Sequence, residues 1–354
     1  MRKPIVGVTM GDAAGIGPEI ILMALARREV RAAGDYVVYG LPEVMARAAA
    51  LVGWKGEIRE APEGEEFLFK EGLLNVVRCG AGSLDGIDYG AVSARCGQLA
   101  FDAIKRAIED ALAERIDATA SAPLNKEALS QAGIKFPGHT EIYAHFTNTI
   151  EYAMLLMEGN FRVAHISTHV SLFDAIKAVK KERVATVIRL VHEALTEMGI
   201  RKPRIAVAGL NPHAGENGLF GREEIEEIGP AVAQTASLGA VGPLPPDSVF
   251  SRAAGGEFDA VIAMYHDQGH IPLKMVGFRY CECEAEGPSI SGINVTLGSP
   301  VIRCSVDHGT AFNIAGTGSA DPGSMATAMI TAAEMAAGAM IRRKGATGAG
   351  FIKE

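Results

Sequence analysis

Ala260-Val-Ile-Ala-Met264, followed without a break by Tyr265-His-Asp-Gln-Gly-His-Ile-Pro-Leu-Lys274, decides the fold. The first five residues are an apolar run of the right length for a strand buried on both faces, as in a parallel sheet. The next ten gather two imidazoles, a carboxylate, an amide and an ammonium. In open α/β sheets ligands bind beyond the carboxyl ends of the strands, so polar groups collected there are positioned to act. A single histidine such as His266 is more often a satisfied structural residue, and the rest of the chain has to supply its partners.

Composition narrows the class. The 354 residues suffice for two α/β lobes or one large domain with a sizeable core. Hydrophobic residues make up 48% and charged residues 21%, the balance of a soluble globular chain. A net charge of -8 argues against nucleic acid or an anionic membrane as partner, because both need clustered Lys and Arg. Cys79, Cys96, Cys281, Cys283 and Cys304 are odd in number and form no paired CxxC pattern, which suits a reducing cytosol. The first apolar run breaks at Gly11-Asp12, too short for a signal peptide. No run of about 20 apolar residues is found, so no membrane span is expected.

The strand-then-polar pattern repeats along the chain. Ile5-Val-Gly-Val-Thr9 reads as a first strand, and Met10-Gly-Asp-Ala-Ala-Gly-Ile-Gly-Pro-Glu19 turns from it into a helix. Its glycines lack the GxGxxG spacing, and the loop reads either as a ligand loop or as a plain strand-to-helix turn. A helical stripe runs from Gly97 to Arg115. Lys126 then begins another helix, as an anion contact or a solvated lysine. Gly138-His-Thr-Glu141 puts His139 or Thr140 at a helix N-terminus, a natural anion site. Ala153–Met157 and Arg162–Ile166 read as a hairpin, with His169 in the polar break that follows. Arg204–Gly209 is a strand, and His213 lies just beyond it. Three imidazoles presented from strand ends can form an open metal site, the alternative being three unrelated loop histidines. Asp247 sits in the Pro-rich stretch Gly242–Ser248, as a base or a supporting group. Cys281-Glu-Cys283 lies in an acidic excursion and reads as a plain loop more readily than as a soft-metal site. The strands Gly292–Gly298 and Pro300–Ser305 aim Asn294 and Arg303 toward one region. A final Ala- and Met-rich helix spans Ser324 to about Arg343, with a frayed tail from Gly345.

Met10–Ile20, Ser121–Lys126, Gly138–Glu141, Asn211–Glu216, Tyr265–Gly269 and Ser305–Thr310 together resemble the 4-hydroxythreonine-4-phosphate dehydrogenase family of vitamin B6 biosynthesis. The first loop and Asp307-His-Gly-Thr-Ala-Phe-Asn-Ile-Ala-Gly316 are also similar to the isopropylmalate and isocitrate dehydrogenases, where the second segment is the adenosine-binding loop. The resemblance implies a two-lobed α/β/α fold without a Rossmann domain. The expected lobes are 1–130 with 300–354, and 131–299 carrying metal and substrate residues. It further implies a cytoplasmic homodimer, NAD or NADP as oxidant, and one divalent metal (Zn, Co, Mn, Ni or Mg) shared between subunits through His169, His213 and His266. His139, Thr140, Lys274, Asn294 and Arg303 would contact the phosphorylated substrate, and His308, Gly309, Thr310 and Asn313 the dinucleotide. Two departures stand out: Ala13 replaces the family's usual Pro, and Arg279–Ser291 looks like an insertion beside the pocket.

The expected reaction is metal-assisted oxidation of the 3-hydroxyl of 4-phosphooxy-L-threonine to a β-keto acid, which decarboxylates to 3-amino-2-oxopropyl phosphate. Asp247, Asp267 and Lys274 are the candidate proton acceptors. The alternatives are the same chemistry on 4-phospho-D-threonate, 4-phospho-D-erythronate or a cyclic diol, and a phosphate-handling transferase or binding protein.

Overall fold

The computed structural model describes residues 2–62, 64–277 and 292–348. The acidic excursion 279–291, with Cys281 and Cys283, lies outside these residues, as does the end of the tail. Contacts group residues 1–149 with 299–354 as one compact unit and 150–298 as another.

The first unit is built on six parallel strands: β1 (Ile5–Thr9), β2 (Asp35–Gly40), β3 (Glu57–Glu60), β4 (Leu73–Arg78), β5 (Ala118–Ser121) and, from the far end of the chain, β12 (Arg303–Val306). They lie in the order β3-β4-β2-β1-β5-β12. A Rossmann sheet places its third strand beside its second and its fourth beside its first, so this is a different winding. β1 and β5 are buried throughout their central residues, β1 as an apolar run and β5 with Thr119 and Ser121 among its buried side chains. Helix Ala94–Leu112 starts on Ser93, whose Oγ accepts the Cys96 N–H at 3.2 Å. It buries Ala103 and Ala107 against Val37, Tyr39 and Val77. Its Ile104 and Ile108 pack with Ile142, Tyr143 and Val301, which places helix His139–Phe146 in this unit. Helix Gly323–Gly348 buries Met325, Ala328, Met329, Ala332 and Ala333. Its Gly323–Arg343 part is long and apolar enough to span a membrane, contrary to the expectation that no such run exists. Most of its apolar residues lie in the core instead, with 56% of its most apolar 18-residue stretch buried, while Ile341 near its end is exposed.

The second unit mixes both strand senses. β6 (Ala153–Glu158) and β7 (Phe161–His165) form the expected antiparallel hairpin, and β11 (Ile293–Leu297) pairs antiparallel with β6. β7, β10 (Ala260–Ala263), β8 (Ile205–Ala208) and β9 (Ala240–Leu244) continue in parallel. Leu156, Val163, Ala206, Val261 and Leu273 form the core on one face. The carboxyl ends of β7, β8 and β10 therefore sit side by side. That edge carries the histidines.

Candidate active site

Beyond β10 the chain does not continue as a loop. Helix His266–Gly277 begins at His266 and carries Pro272 in its interior. Gln268 locks this start in place: its Oε1 accepts the Met264 N–H at 2.6 Å and its Nε2 donates to the Gly209 carbonyl at 2.8 Å. One side chain thus ties the end of β10 to the end of β8.

Four imidazoles gather there. The His169 and His266 ring centroids lie 5.8 Å apart, and both rings line a cavity of about 320 Å³ with Thr168, Tyr265 and Asp267. His266 Nδ1 is 2.6 Å from Asp267 Oδ1. His270 stacks on His266 at 3.6 Å and 11°. Beneath them His165, 1% exposed at the end of β7, lies 4.7 Å from the His270 ring. Burial, followed by the neighbouring His270 and His266, pushes the His165 pKa down to about 3, so this ring is neutral. His165 closes an apolar strand, and nothing in its sequence context distinguishes it from a core residue.

His213 does not join them. It is exposed and lines neither this cavity nor its neighbour. Residues His213 to Asn217 all have positive φ, from 42 to 81°, a left-handed run that costs about 1 kcal/mol or more per non-glycine residue. Glu224, 4% exposed, stabilises the loop: its Oε1 accepts the Leu210 and Asn211 N–H groups at 2.7 Å, and its Oε2 accepts from Asn211 Nδ2 at 3.0 Å. Among the described residues no three His, Cys, Asp or Glu side chains are arranged around one ion. The separation of His169 and His266 suits two ligands of one cation, with Asp267 orienting the second. A complete three-histidine centre is not formed within one chain.

Asp247 is in the first turn of helix Pro246–Ala254, where a loop was expected, because Pro245-Pro246 favours helix initiation. With Asp267, Tyr265, Gln268 and Phe250 it lines a second cavity of about 890 Å³. Lys274 lies half-buried on helix His266–Gly277, and Asn294 lies half-buried on β11.

In the first unit Arg303, at the start of β12, is 2% exposed. Its guanidinium reaches Thr140 Oγ1 at 3.4 Å and lies 5.4 Å from the centre of the Tyr143 ring. His139 Nε2 is sealed from solvent with no hydrogen-bond partner among the described residues. Burial, and then the Arg303 charge, hold the His139 pKa well below its ordinary value. The buried Arg303 guanidinium and the His139 imidazole thus lie together at the start of helix His139–Phe146, where free backbone N–H groups favour negative charge.

The expected dinucleotide residues His308, Gly309, Thr310 and Asn313 follow β12 at the carboxyl edge of the same sheet. Ile16 N–H donates to the Thr310 carbonyl at 3.1 Å, and a Cβ on Gly15 would lie 2.9 Å from that of Thr310. Gly15 is therefore needed for this close approach. The loop exposes Gly309 and Asn313 and buries Thr310, a shape compatible with a ligand lying across it.

Residues 32–332 match the family described as pyridoxal phosphate biosynthetic protein PdxA. The chain belongs to this family. It is 46% identical over 336 residues to the D-threonate 4-phosphate dehydrogenase of Cupriavidus necator, covering 94% of this chain and 97% of that one. The crystal structure of 4-hydroxythreonine-4-phosphate dehydrogenase from Klebsiella pneumoniae superposes with a TM-score of 0.80 at 45% identity, covering 94% of this chain and 99% of the other. A terephthalate 1,2-cis-dihydrodiol dehydrogenase from Burkholderia xenovorans matches with a TM-score of 0.67 at 28% identity, over 94% and 98% of the two chains. The PdxA-family chain described here is accordingly a dehydrogenase, and the transferase reading is set aside.

Proposed function

We propose that the protein oxidises the 3-hydroxyl of 4-phospho-D-threonate, with NAD or NADP as hydride acceptor. The resulting 3-keto acid loses CO2 and leaves dihydroxyacetone phosphate. The observation that carries this reading is the 46% identity over 336 residues to the Cupriavidus necator relative, and the guanidinium of Arg303 beside Thr140 and His139 suits one anionic end of such a substrate. The name of the Cupriavidus necator relative supports the D-threonate series. A second reading, 4-phosphooxy-L-threonine giving 3-amino-2-oxopropyl phosphate, is supported by the name of the Klebsiella pneumoniae structure. 4-Phospho-D-erythronate is a further member of the same panel. A cyclic diol has weaker support, from a relative at 28% identity.

On this reading Arg303, Thr140 and His139 bind one anionic end of the substrate, and Lys274 and Asn294 are further candidate substrate contacts. His308, Gly309, Thr310 and Asn313 would hold the dinucleotide, which would supply the hydride acceptor for C3. Asp267 is engaged with His266, which leaves Asp247 as the carboxylate we assign to receiving the hydroxyl proton. Loss of CO2 follows because the ketone β to the carboxylate stabilises the carbanion as an enolate.

The reading includes a divalent metal bound by histidines drawn from two copies of the chain, since of the three expected ligands one copy brings His169 and His266 together but not His213. Exposed apolar side chains, Leu172 at 60% on that cavity, Phe173 at 69% beside it in sequence and Met275 at 78% on the second cavity, support a homodimer that covers them. The free thiols of Cys79, Cys96 and Cys304 suit a cytoplasmic enzyme. Incubating the protein with NAD, a divalent cation and 4-phospho-D-threonate tests the reading. NADH should form, cease on chelation and return on adding metal back. No reduced dinucleotide from any of the phosphorylated acids, with NAD or NADP, would sink it.

A further inference from the structure

Glu19 stands in the first turn of helix Gly17–Ala26 with none of its surface exposed. Its Oε1 accepts the Gly316 N–H at 2.5 Å and its Oε2 accepts the Gly318 N–H at 2.9 Å. Both glycines are left-handed, at φ 79 and 70°. A Cβ on Gly316 would press into the Tyr89 ring, itself covered by the Arg47 guanidinium at 4.0 Å. The Ile16 N–H holds the other end of the same loop at Thr310. Residues 16–19 thus fasten the loop after β12 at both ends.

An acidic residue in a helical first turn ordinarily complements the dipole of its own helix from a solvated position. Glu19 instead is buried and bonded to a loop 297 and 299 residues further along the chain. Burying a carboxylate is costly unless charge-assisted hydrogen bonds compensate it, and two loop amides do so here. A bidentate clamp fixes the backbone of the loop more tightly than one bond, and a fixed loop binds a ligand without first being ordered.

We propose that Glu19 is a positioning residue for the dinucleotide: its carboxylate holds the loop 308–318 in its receiving shape before the dinucleotide arrives. This inference rests on the reading above, in which that loop binds NAD or NADP. Removing the clamp weakens dinucleotide binding and leaves binding of the phosphorylated acid in place.

The test compares wild type with Glu19→Gln, which keeps the size but turns one acceptor into a donor facing an N–H. Dinucleotide affinity is measured by calorimetric titration, and amide exchange is followed at residues 314–318. The wild type should show slow exchange at Gly316 and Gly318 without dinucleotide. The variant should exchange faster there and bind the dinucleotide about tenfold more weakly, with KM for the phosphorylated acid within about twofold. Equal dinucleotide affinity in a folded variant overturns the inference while leaving the dehydrogenase reading intact. A wild type that binds neither NAD nor NADP overturns that reading, and the inference with it. Should the variant not fold, wild-type exchange decides: unprotected Gly316 and Gly318 amides, ordered only on adding dinucleotide, contradict the preformed loop.

Discussion

His266 Nδ1 and Asp267 Oδ1 stand 2.6 Å apart in the first turn of helix His266–Gly277. A carboxylate on one ring nitrogen fixes the orientation of the imidazole and leaves Nε2 for the divalent cation proposed above. Asp267→Asn should therefore lower the affinity for the activating cation by roughly 10- to 100-fold without unfolding the protein. Titrating activity against metal concentration checks this. An unchanged midpoint would show that Asp267 does not act through His266.

Gln268 joins Met264 to Gly209, and both backbone partners lose their bond if it is removed. Gln268→Ala should cost about 2–4 kcal/mol, because a buried N–H and C=O are left without partners. Urea unfolding measures the loss. A change below about 1 kcal/mol would mean that water replaces the amide.

Asp12 is 1% exposed, and burial raises its carboxyl pKa from 3.8 to about 6, against the opposing hydrogen bonds of Ala14 and Cys96. The folded value lies above the unfolded one, so the fold favours the protonated acid. That contribution is fully present below about pH 4 and is lost as pH rises through 6. Asp12→Asn cannot ionise and still accepts the Ala14 N–H, which lies 2.9 Å from Oδ1. The variant should gain up to about 3 kcal/mol over wild type above pH 6 and little at pH 4. A difference independent of pH would contradict the assigned pKa.

Arg303 is planar, buried and set against Tyr143, and a lysine reproduces neither the fork nor the stacking. Arg303→Lys should reduce kcat/KM for the phosphorylated acid by roughly 100-fold while the dinucleotide Kd stays unchanged. Steady-state kinetics and a dinucleotide titration separate the two effects.

β1, β6, β7, β8 and β10 were legible because each is a short apolar run closed by glycine or polar residues, and β10 shows this best; β3, which is Glu57-Ile-Arg-Glu60, β4 and β9 were not expected. The positions of His169 and His266 beyond their strands were legible for the same reason. The left-handed run at His213 was not, because His, Ala and Glu adopt positive φ only when tertiary contacts impose it, and here Glu224 supplies them. Glu224 itself lies in Glu223-Glu224-Ile225-Glu226-Glu227, which reads as a solvated acidic face. Glu19 looked like an ordinary first-turn acid, since its partners lie almost 300 residues away. The pairing of Thr140 with Arg303 spans 163 residues, and only the sheet order, with β12 beside β5, brings them together.

The central claim is oxidation of a 4-phosphorylated hydroxy acid, with the D-threonate series favoured. Initial rates with NAD and a divalent cation on 4-phospho-D-threonate and 4-phosphooxy-L-threonine, with CO2 measured alongside NADH, test it most directly. The account predicts equal amounts of NADH and CO2, and a kcat/KM at least about 100-fold higher for the D-threonate compound, since a site shaped for one hydrogen-bonding pattern rejects another. A preference for the L-threonine compound would move the enzyme to the second reading. Neither NADH nor CO2 from either acid would contradict the account.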